Sequence, residues 1–470
     1  MNLEGKLHIS VLELLRSACT LEGRSRTKFV SLLLQSLLRT YVLQVPRTCL
    51  VSLTPLDLAR RPYPKSTIHE IRTEDLCIIY IQHWQCSPCL QEVNRARKLY
   101  PILLLNGYST ESFCLPTEPN DLVRTLLEEG HDVLLLRTRL HPSNASNAFS
   151  IEDIGKLDIP AAMNKIIELY EESIKVHVVA HCVGGLAIHI SIMGGHVSAR
   201  HLASLSCTNS SMFFKLTTSS SIKMWLPLIP MSMAIMGKNR TLQLLQASTT
   251  AKSIRHRLLK SIARLMPRPE RCTCDECEVF SGVFGNTFWH ENISHTMHQW
   301  MNRENQTRLP MAAFSHLRKI CNVGFIVDSK GSNRYLIHPE RMEMPTLYIS
   351  GERVLLVTPE TSFLANKYMK LHQPSYRHER VVVDGFGHSD LLIGEKSHEK
   401  VFPYIRKHIE LAEDEQNSLR ARTRDYDCMK EALAWCDDPY KDGAGGFGSC
   451  ILPFIIIVLL VLLFKFLIVC

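Results

Sequence analysis

At 470 residues with 45% hydrophobic content, the chain can bury one large core plus a sizeable insertion, or two domains, which excludes disorder as its main state. The formal net charge of +8 is modest, and its Lys and Arg are scattered, so there is no nucleic-acid footprint; an anionic membrane surface suits it better. Sixteen cysteines suit a disulfide framework only in a small secreted chain, whereas the first residues, MNLEGKLHIS, lack a basic n-region, an apolar h-region and a cleavage site. The thiols are therefore expected to be reduced and to face the cytosol. N-x-[ST] sequons at Asn144, Asn209, Asn239, Asn292 and Asn305 pull the other way, but that tripeptide acts only in a lumenal context.

The N-terminal segment, 1–56, contains the helix-like apolar stretch Phe29 to Leu43, preceded by Arg24, Arg26 and Lys28, which is expected to pack onto the main domain more readily than to touch lipid. After Pro64, TIHEIRTEDLCIIYIQHW alternates apolar and polar positions around a Thr-Glu-Asp turn, the pattern of an antiparallel hairpin. PILLLNG at 101–107, the amphipathic NDLVRTLLEEG and HDVLLLRTR then read as strand, helix and strand. A helix from Ile151 to Tyr170, the strand VHVVAHC at 176–182, the helix VGGLAIHISIMGG and the strand HLASLSC continue the alternation. PTLYISG at 345–351 and RVVVDGFGH at 380–388 supply two more strand-like runs around a helix near Thr361 to Leu371. An open, mostly parallel sheet with helices on both faces follows.

The alternation stops between about Thr208 and Glu343, and this Met-rich, helix-leaning stretch reads as a cap. Within it, MWLPLIPMSMAIMG at 224–237 offers soft apolar side chains that suit either an acyl-chain tunnel or simple cap core. The domain reading is a hydrolase core in two parts, 57–208 and 344–412, a cap at 209–343, a linker at 413–450 and an anchor at 451–470. ILPFIIIVLLVLLFKFLIVC, from Ile451 to Cys470, would be about 30 Å long as a helix and match a bilayer core. Lys465 near its end can reach the far interface, and Arg420, Arg422, Arg424, Lys430 and Lys441 upstream leave the main domain cytosolic. The expected topology is a single-pass tail anchor in the endoplasmic reticulum or another endomembrane. Cys450 and Cys470 flank the span as possible acylation sites. Gly443, Gly445 and Gly448 in GAGGFG fit G-x-G-x-x-G but follow no strand, so they read as a hinge and no dinucleotide site is assigned.

The chemistry sits at the strand ends. Ala180-His181-Cys182-Val183-Gly184-Gly185 lies between a strand and a helix, as a nucleophile elbow does, with cysteine where serine is usual and Ala180 in place of the first glycine. A helix N-terminus and a nearby imidazole favour a resting thiolate, and such a nucleophile attacks esters, lactones or thioesters through an acyl-enzyme. His388, in Asp384-Gly-Phe-Gly-His388-Ser-Asp390, stands where the base is expected. The oxyanion donors are assigned to the backbone of Val183 and to the Asn106-Gly107-Tyr108-Ser109 loop, at Tyr108. The acid position after PTLYISG is Val354, so Glu352 ranks first as a substitute, with Asp384, Asp390 and the amide of Asn209 as alternatives. Cys272, Cys274 and Cys277 in CTCDEC, with His290, His295 and His298, are metal-ligand types, and Cys86-Ser-Pro-Cys89 adds a C-x-x-C. Zinc sites usually pair two dithiols at regular spacing, so these read as free or structural thiols, and neither metal nor cofactor is assigned.

PILLLNGYS through VHVVAHCVGG, CDEC followed by FGNTFWHENISHTMHQW, and GFGHSDLLIGE together resemble the α/β-hydrolase module fused, in some organisms, behind a cholesterol-oxidase-like GMC flavoenzyme. The resemblance covers roughly Asp57 to Ala412. It implies an α/β-hydrolase fold, Cys182 and His388 as the reactive pair, and a lipid or sterol-ester setting. Residues 3–47 look like the worn tail of the oxidoreductase half, whose flavin fingerprint the chain lacks. Two functions follow as expectations: a membrane-anchored cysteine-type acyl hydrolase with a lipophilic small-molecule substrate, or an inactive hydrolase-fold protein that binds lipid or a protein partner.

Overall fold

The computed structural model describes residues 62–87, 99–108, 110–141, 148–225, 232, 237–238, 241–243, 257, 259–264, 270–305 and 308–417. The segment 1–56, the GAGGFG stretch, Cys89 and the apolar tail 451–470 lie outside the described residues. Among the described residues no helix is long and apolar enough to cross a membrane.

Strands β1 (Ser66–Arg72) and β2 (Ile78–Trp84) form the expected antiparallel hairpin. Its Thr-Glu-Asp turn is fastened from outside: Arg139 binds Asp75 at 2.7 Å and the buried Asp158 at 2.8 Å. The sheet continues with β3 (Ile102–Leu105), β4 (Val133–Arg137), β5 (Val176–His181), β6 (Leu202–Thr208), β7 (Thr346–Gly351) and β8 (His378–Val383). Its order is β1-β2-β4-β3-β5-β6-β7-β8. β2 is antiparallel to both of its neighbours, and every pairing from β4 to β8 is parallel.

The central strands are apolar on both faces because both are covered. Ile102 and Leu104 of β3, with Val133 and Leu135 of β4, pack against α1 (Leu122–Glu128) and the C-terminal α5 (Phe402–Asn417). The alternate residues Leu103, Leu105, Leu134 and Leu136 face α2 (Ile159–Leu169), α3 (Val183–Met193) and α4 (Glu360–His372). The period of two in the strands thus assigns each leucine to one layer. This strand order, with the turn after β5 leading straight into a helix, is the α/β-hydrolase architecture.

The helix expected over Ile151 to Tyr170 is interrupted. A short helix Ile151–Asp153, opened by a capping box from Ser150, passes through a π turn at Ile154–Asp158 into α2. Gly155 sits in that π turn, where a Cβ would lie 2.6 Å from the Ile190 side chain of α3. Among the described residues of 209–343, strands accompany the helices. Helices Thr218–Trp225, Asp275–Val283, His295–Trp300 and Phe314–Val323 are joined by a small sheet of Gly237–Lys238, Thr241–Gln243 and Arg308–Pro310. Most of the Met-rich run 224–237 lies outside the described residues. The nine described cysteines are all free.

Leu104 is fully buried between β3 and α1, so Leu104→Ala leaves a cavity; urea denaturation is expected to show a loss of about 2–5 kcal/mol.

Candidate active site

Cys182 occupies the turn between β5 and α3 with φ 50° and ψ −118°, a backbone conformation that costs energy for any residue with a side chain. The turn can be this tight because of Gly184. A Cβ there would lie 2.5 Å from the Leu105 carbonyl oxygen and 2.6 Å from that of Asn106, so α3 begins in direct backbone contact with the end of β3. The same approach brings the loop after β3 against the elbow. The backbone amides of Val183 and Tyr108 both lie near the Cys182 thiol and act to lower its pKa. They belong to the two residues to which the sequence assigns the oxyanion donors. Glu111 fixes the loop by accepting from the backbone N–H groups of Ser112, Phe113 and Cys114 and from the Asn106 amide.

His388 follows β8 and is 3% exposed. Cys182, His388, His181 and Tyr108 line a single cavity of about 140 Å³. The rest of its wall is largely apolar, drawn from Phe280, Val283, Phe284, Phe314 and Leu317 of the cap and from Phe214, Leu216 and Leu356 of the core. Met224 is the one described residue of the 224–237 run in that wall. The aromatic lining was hidden from sequence reasoning because Phe214, Phe280, Phe284 and Phe314 come from three separate stretches of the chain.

The sulfur and the imidazole share the cavity without a hydrogen bond between them. The Nδ1 of His388 is buried with no hydrogen-bond partner. Burial, and then the adjacent His181, holds its pKa well below the usual imidazole value. The two rings lie 4.9 Å apart, centroid to centroid, and His181 is fixed by Thr208 at 2.9 Å from its Nδ1. His181 was visible in the elbow motif but carried no assigned role. Burial also pushes the Cys182 thiol up to about 12, overcoming the two amide donors. The expected resting thiolate is therefore corrected to a neutral thiol beside a neutral imidazole.

The structure does not bring Glu352 onto the imidazole. Its Oε2 accepts from the Gly385 backbone N–H at 3.1 Å. Val354 is fully buried, leaving apolar packing at the position where the acid was sought. Asp384 is exposed. Asp390 is buried, with a pKa raised to about 6 by burial, and its Oδ2 accepts from Gly387 N–H at 2.9 Å and the Asn292 amide at 2.6 Å. Asn209, at φ 48° and 1% exposed, acts on backbone: its amide nitrogen donates to the carbonyls of Gly387 and His388 at 3.0 and 2.7 Å, and its oxygen accepts from Gly351 N–H at 3.1 Å. Engaged in this way, Asn209 offers no amide to a glycan. The His388 loop is thus well anchored, while the imidazole has no orienting acid among the described residues.

No family model matches the chain, and no curated protein matches it. Solved structures similar to it include an esterase from Rhodococcus sp. ECU1013, 12% identical over 73% of this chain and 98% of that one, with a TM-score of 0.41. An esterase of Pyrococcus furiosus is 13% identical over 78% of this chain and 96% of that one, also at 0.41. An α/β hydrolase from Penicillium sp. sh18 is 10% identical over 74% and 99%, at 0.40. Likeness at that level carries no weight for chemistry.

Asn209→Ala removes two donors from carbonyls and one acceptor from an N–H at a buried junction. Each group left unpaired costs about 1–3 kcal/mol, so chemical denaturation is expected to show at least that loss. Hydrogen exchange at Gly351 is expected to quicken.

Proposed function

We propose that this chain is an acyl hydrolase with Cys182 as nucleophile and His388 as base, acting on a lipophilic ester, lactone or thioester. The observation that carries the proposal is the sulfur on its strained elbow, near the Val183 and Tyr108 amides, in the wall of a largely apolar cavity that His388 also lines. In this reading the resting thiol occupies the oxyanion site. The substrate carbonyl oxygen displaces it from the Val183 and Tyr108 amides, and the sulfur swings toward the imidazole. Neutral His388 takes the thiol proton as sulfur attacks the acyl carbon, the tetrahedral oxyanion is held by the two amides, and the proton passes to the leaving group. Water then attacks the acyl-enzyme with the same imidazole as base. Because thiol and imidazole both start uncharged, the proton moves during attack rather than before it. Glu352, bound to Gly385 N–H, acts at most by steadying the loop.

The apolar wall supports an acyl chain or ring system as the bound portion of the substrate. We further infer that the tail 451–470 anchors the chain in an endomembrane with this domain facing the cytosol, and that the chain is kin to the hydrolase module of the GMC flavoenzymes; both readings rest on sequence alone. A second reading, a lipid-binding protein without turnover, is favoured by one observation: the buried, unpartnered Nδ1 of His388.

Covalent labelling separates the two. An acyl-directed probe is expected to mark Cys182 in the native chain and not in the unfolded one, and His388→Ala is expected to suppress marking; labelling indifferent to both favours binding alone. Cys182→Ala is expected to abolish hydrolysis of a lipophilic ester. The base must be neutral and its pKa is lowered, so kcat/KM is expected to stay level as pH falls through about 6.5, the ordinary imidazole value. An acid limb centred there would contradict the buried, neutral His388. A chain ending at Cys450 is expected to lose sedimentation with membranes and keep hydrolysis.

A further inference from the structure

Four side chains of the cap converge away from the cavity. Cys272 precedes the helix Asp275–Val283, Cys277 lies in its first turns, His290 opens the turn His290–Asn292, and His298 lies in the helix His295–Trp300. One donor atom from each falls within 4.8 Å of all the others, and three of the four residues are buried. The Cys272 sulfur is 3.5 Å from His298 Nε2, and the Cys277 sulfur is 3.5 Å from His290 Nε2. Zinc bonds of about 2.3 Å to sulfur and about 2.0 Å to nitrogen, at the tetrahedral angle, put the two kinds of ligand about 3.5 Å apart.

The surroundings match as well. Glu270 Oε2 accepts from His290 Nδ1 at 2.9 Å, which fixes the tautomer that leaves Nε2 with its lone pair toward the two sulfurs. The backbone N–H of Cys274 donates to the Cys272 sulfur at 3.3 Å, the kind of support a thiolate ligand receives. Asn302 Nδ2 lies 3.1 Å from His298 Nε2, a contact that gives way when that lone pair binds a metal. The other two candidates of the sequence point elsewhere: Cys274 donates to Glu276 at 3.2 Å, and His295 pairs with Gln299 at 2.9 Å.

We propose that Cys272, Cys277, His290 and His298 hold a structural zinc ion that fastens the cap to the His388 loop. Both thiols lose their protons to solvent on binding, giving two thiolates and two neutral imidazoles around one divalent ion, a site with no net charge. Four protein ligands leave no open position, so the ion takes no part in hydrolysis. Its mechanical reach is direct. The strip beside His290 holds the His388 loop through Thr287 O to Ser389 N–H at 2.6 Å, Trp289 Nε1 to the Arg353 carbonyl at 2.8 Å and Asn292 Nδ2 to the Gly385 carbonyl at 2.9 Å.

The test is metal analysis of the full chain purified without chelator. About one zinc per chain is expected, and exchange for Co(II) is expected to give tetrahedral ligand-field bands with sulfur-to-cobalt charge transfer. Cys274→Ser and His295→Gln are expected to keep the metal, and Cys277→Ser and His298→Gln to lose it. Readouts on the unaltered chain do not depend on whether those last variants fold. A native chain that takes up no zinc on dialysis and shows no cobalt bands would overturn the site and leave only thiol–imidazole hydrogen bonds. Zinc retained by both Cys277→Ser and His298→Gln would overturn the assignment of ligands.

Discussion

The arrangement depends on how closely the start of one helix can approach the end of one strand. Gly184 places the first turn of α3 against the carbonyl oxygens of Leu105 and Asn106, at separations no side chain tolerates. With that contact go the positive φ of Cys182 and the approach of the Val183 and Tyr108 amides, from distant segments, to one sulfur. A second close approach completes the geometry on the far side. A Cβ at Gly351 would lie 2.3 Å from the Gly387 carbonyl oxygen, so the end of β7 abuts the loop that carries His388. The two glycines set the strand ends, and Asn209 locks the second of them by holding Gly351, Gly387 and His388 at once.

Within this frame burial decides the charge state. A helix N-terminus and two amide donors favour a thiolate, yet the sulfur lies under the cap beside apolar side chains, and loss of water outweighs the dipoles. His388 loses its charge for the same reason, reinforced by His181. The apolar surroundings of the cavity therefore favour the uncharged forms of both its thiol and its imidazole. The missing acid is consistent with such a site, since a carboxylate at the place of Val354 would itself have to be desolvated.

Much of the fold was legible because its signals are local. The doubly apolar runs of β3 and β4, the Thr-Glu-Asp hairpin and the strand-to-helix turn at Cys182 each carry their own pattern. The shared cavity of Cys182 and His388 could be anticipated from chain order, because the sheet brings consecutive strand ends together. What escaped depends on distance through space. Nothing near Glu352 signals that its carboxylate turns to Gly385, and spacing alone cannot tell that Cys277 and His290 meet while Cys274 and His295 turn away. The resting charge of Cys182 turns on how completely the thiol is buried, which the residues around the elbow do not display even where a cap is expected. The π turn at Ile154–Asp158 and the small cap sheet left no recognisable trace in residue periodicity.

The strip Thr287 to Asn292 restricts how a ligand reaches the cavity. It is bound to the core by backbone and side-chain hydrogen bonds at Ser389, Arg353, Gly385, Asp390 and Glu395, and Glu291 also pairs with Arg353. A cap swinging open as one rigid flap would break all of these, at about 1 kcal/mol for each hydrogen bond, and would be populated by well under about one molecule in a thousand before any lost packing is counted. While the strip stays bound, the loop that carries His388 keeps its place beside the elbow, whatever enters the cavity.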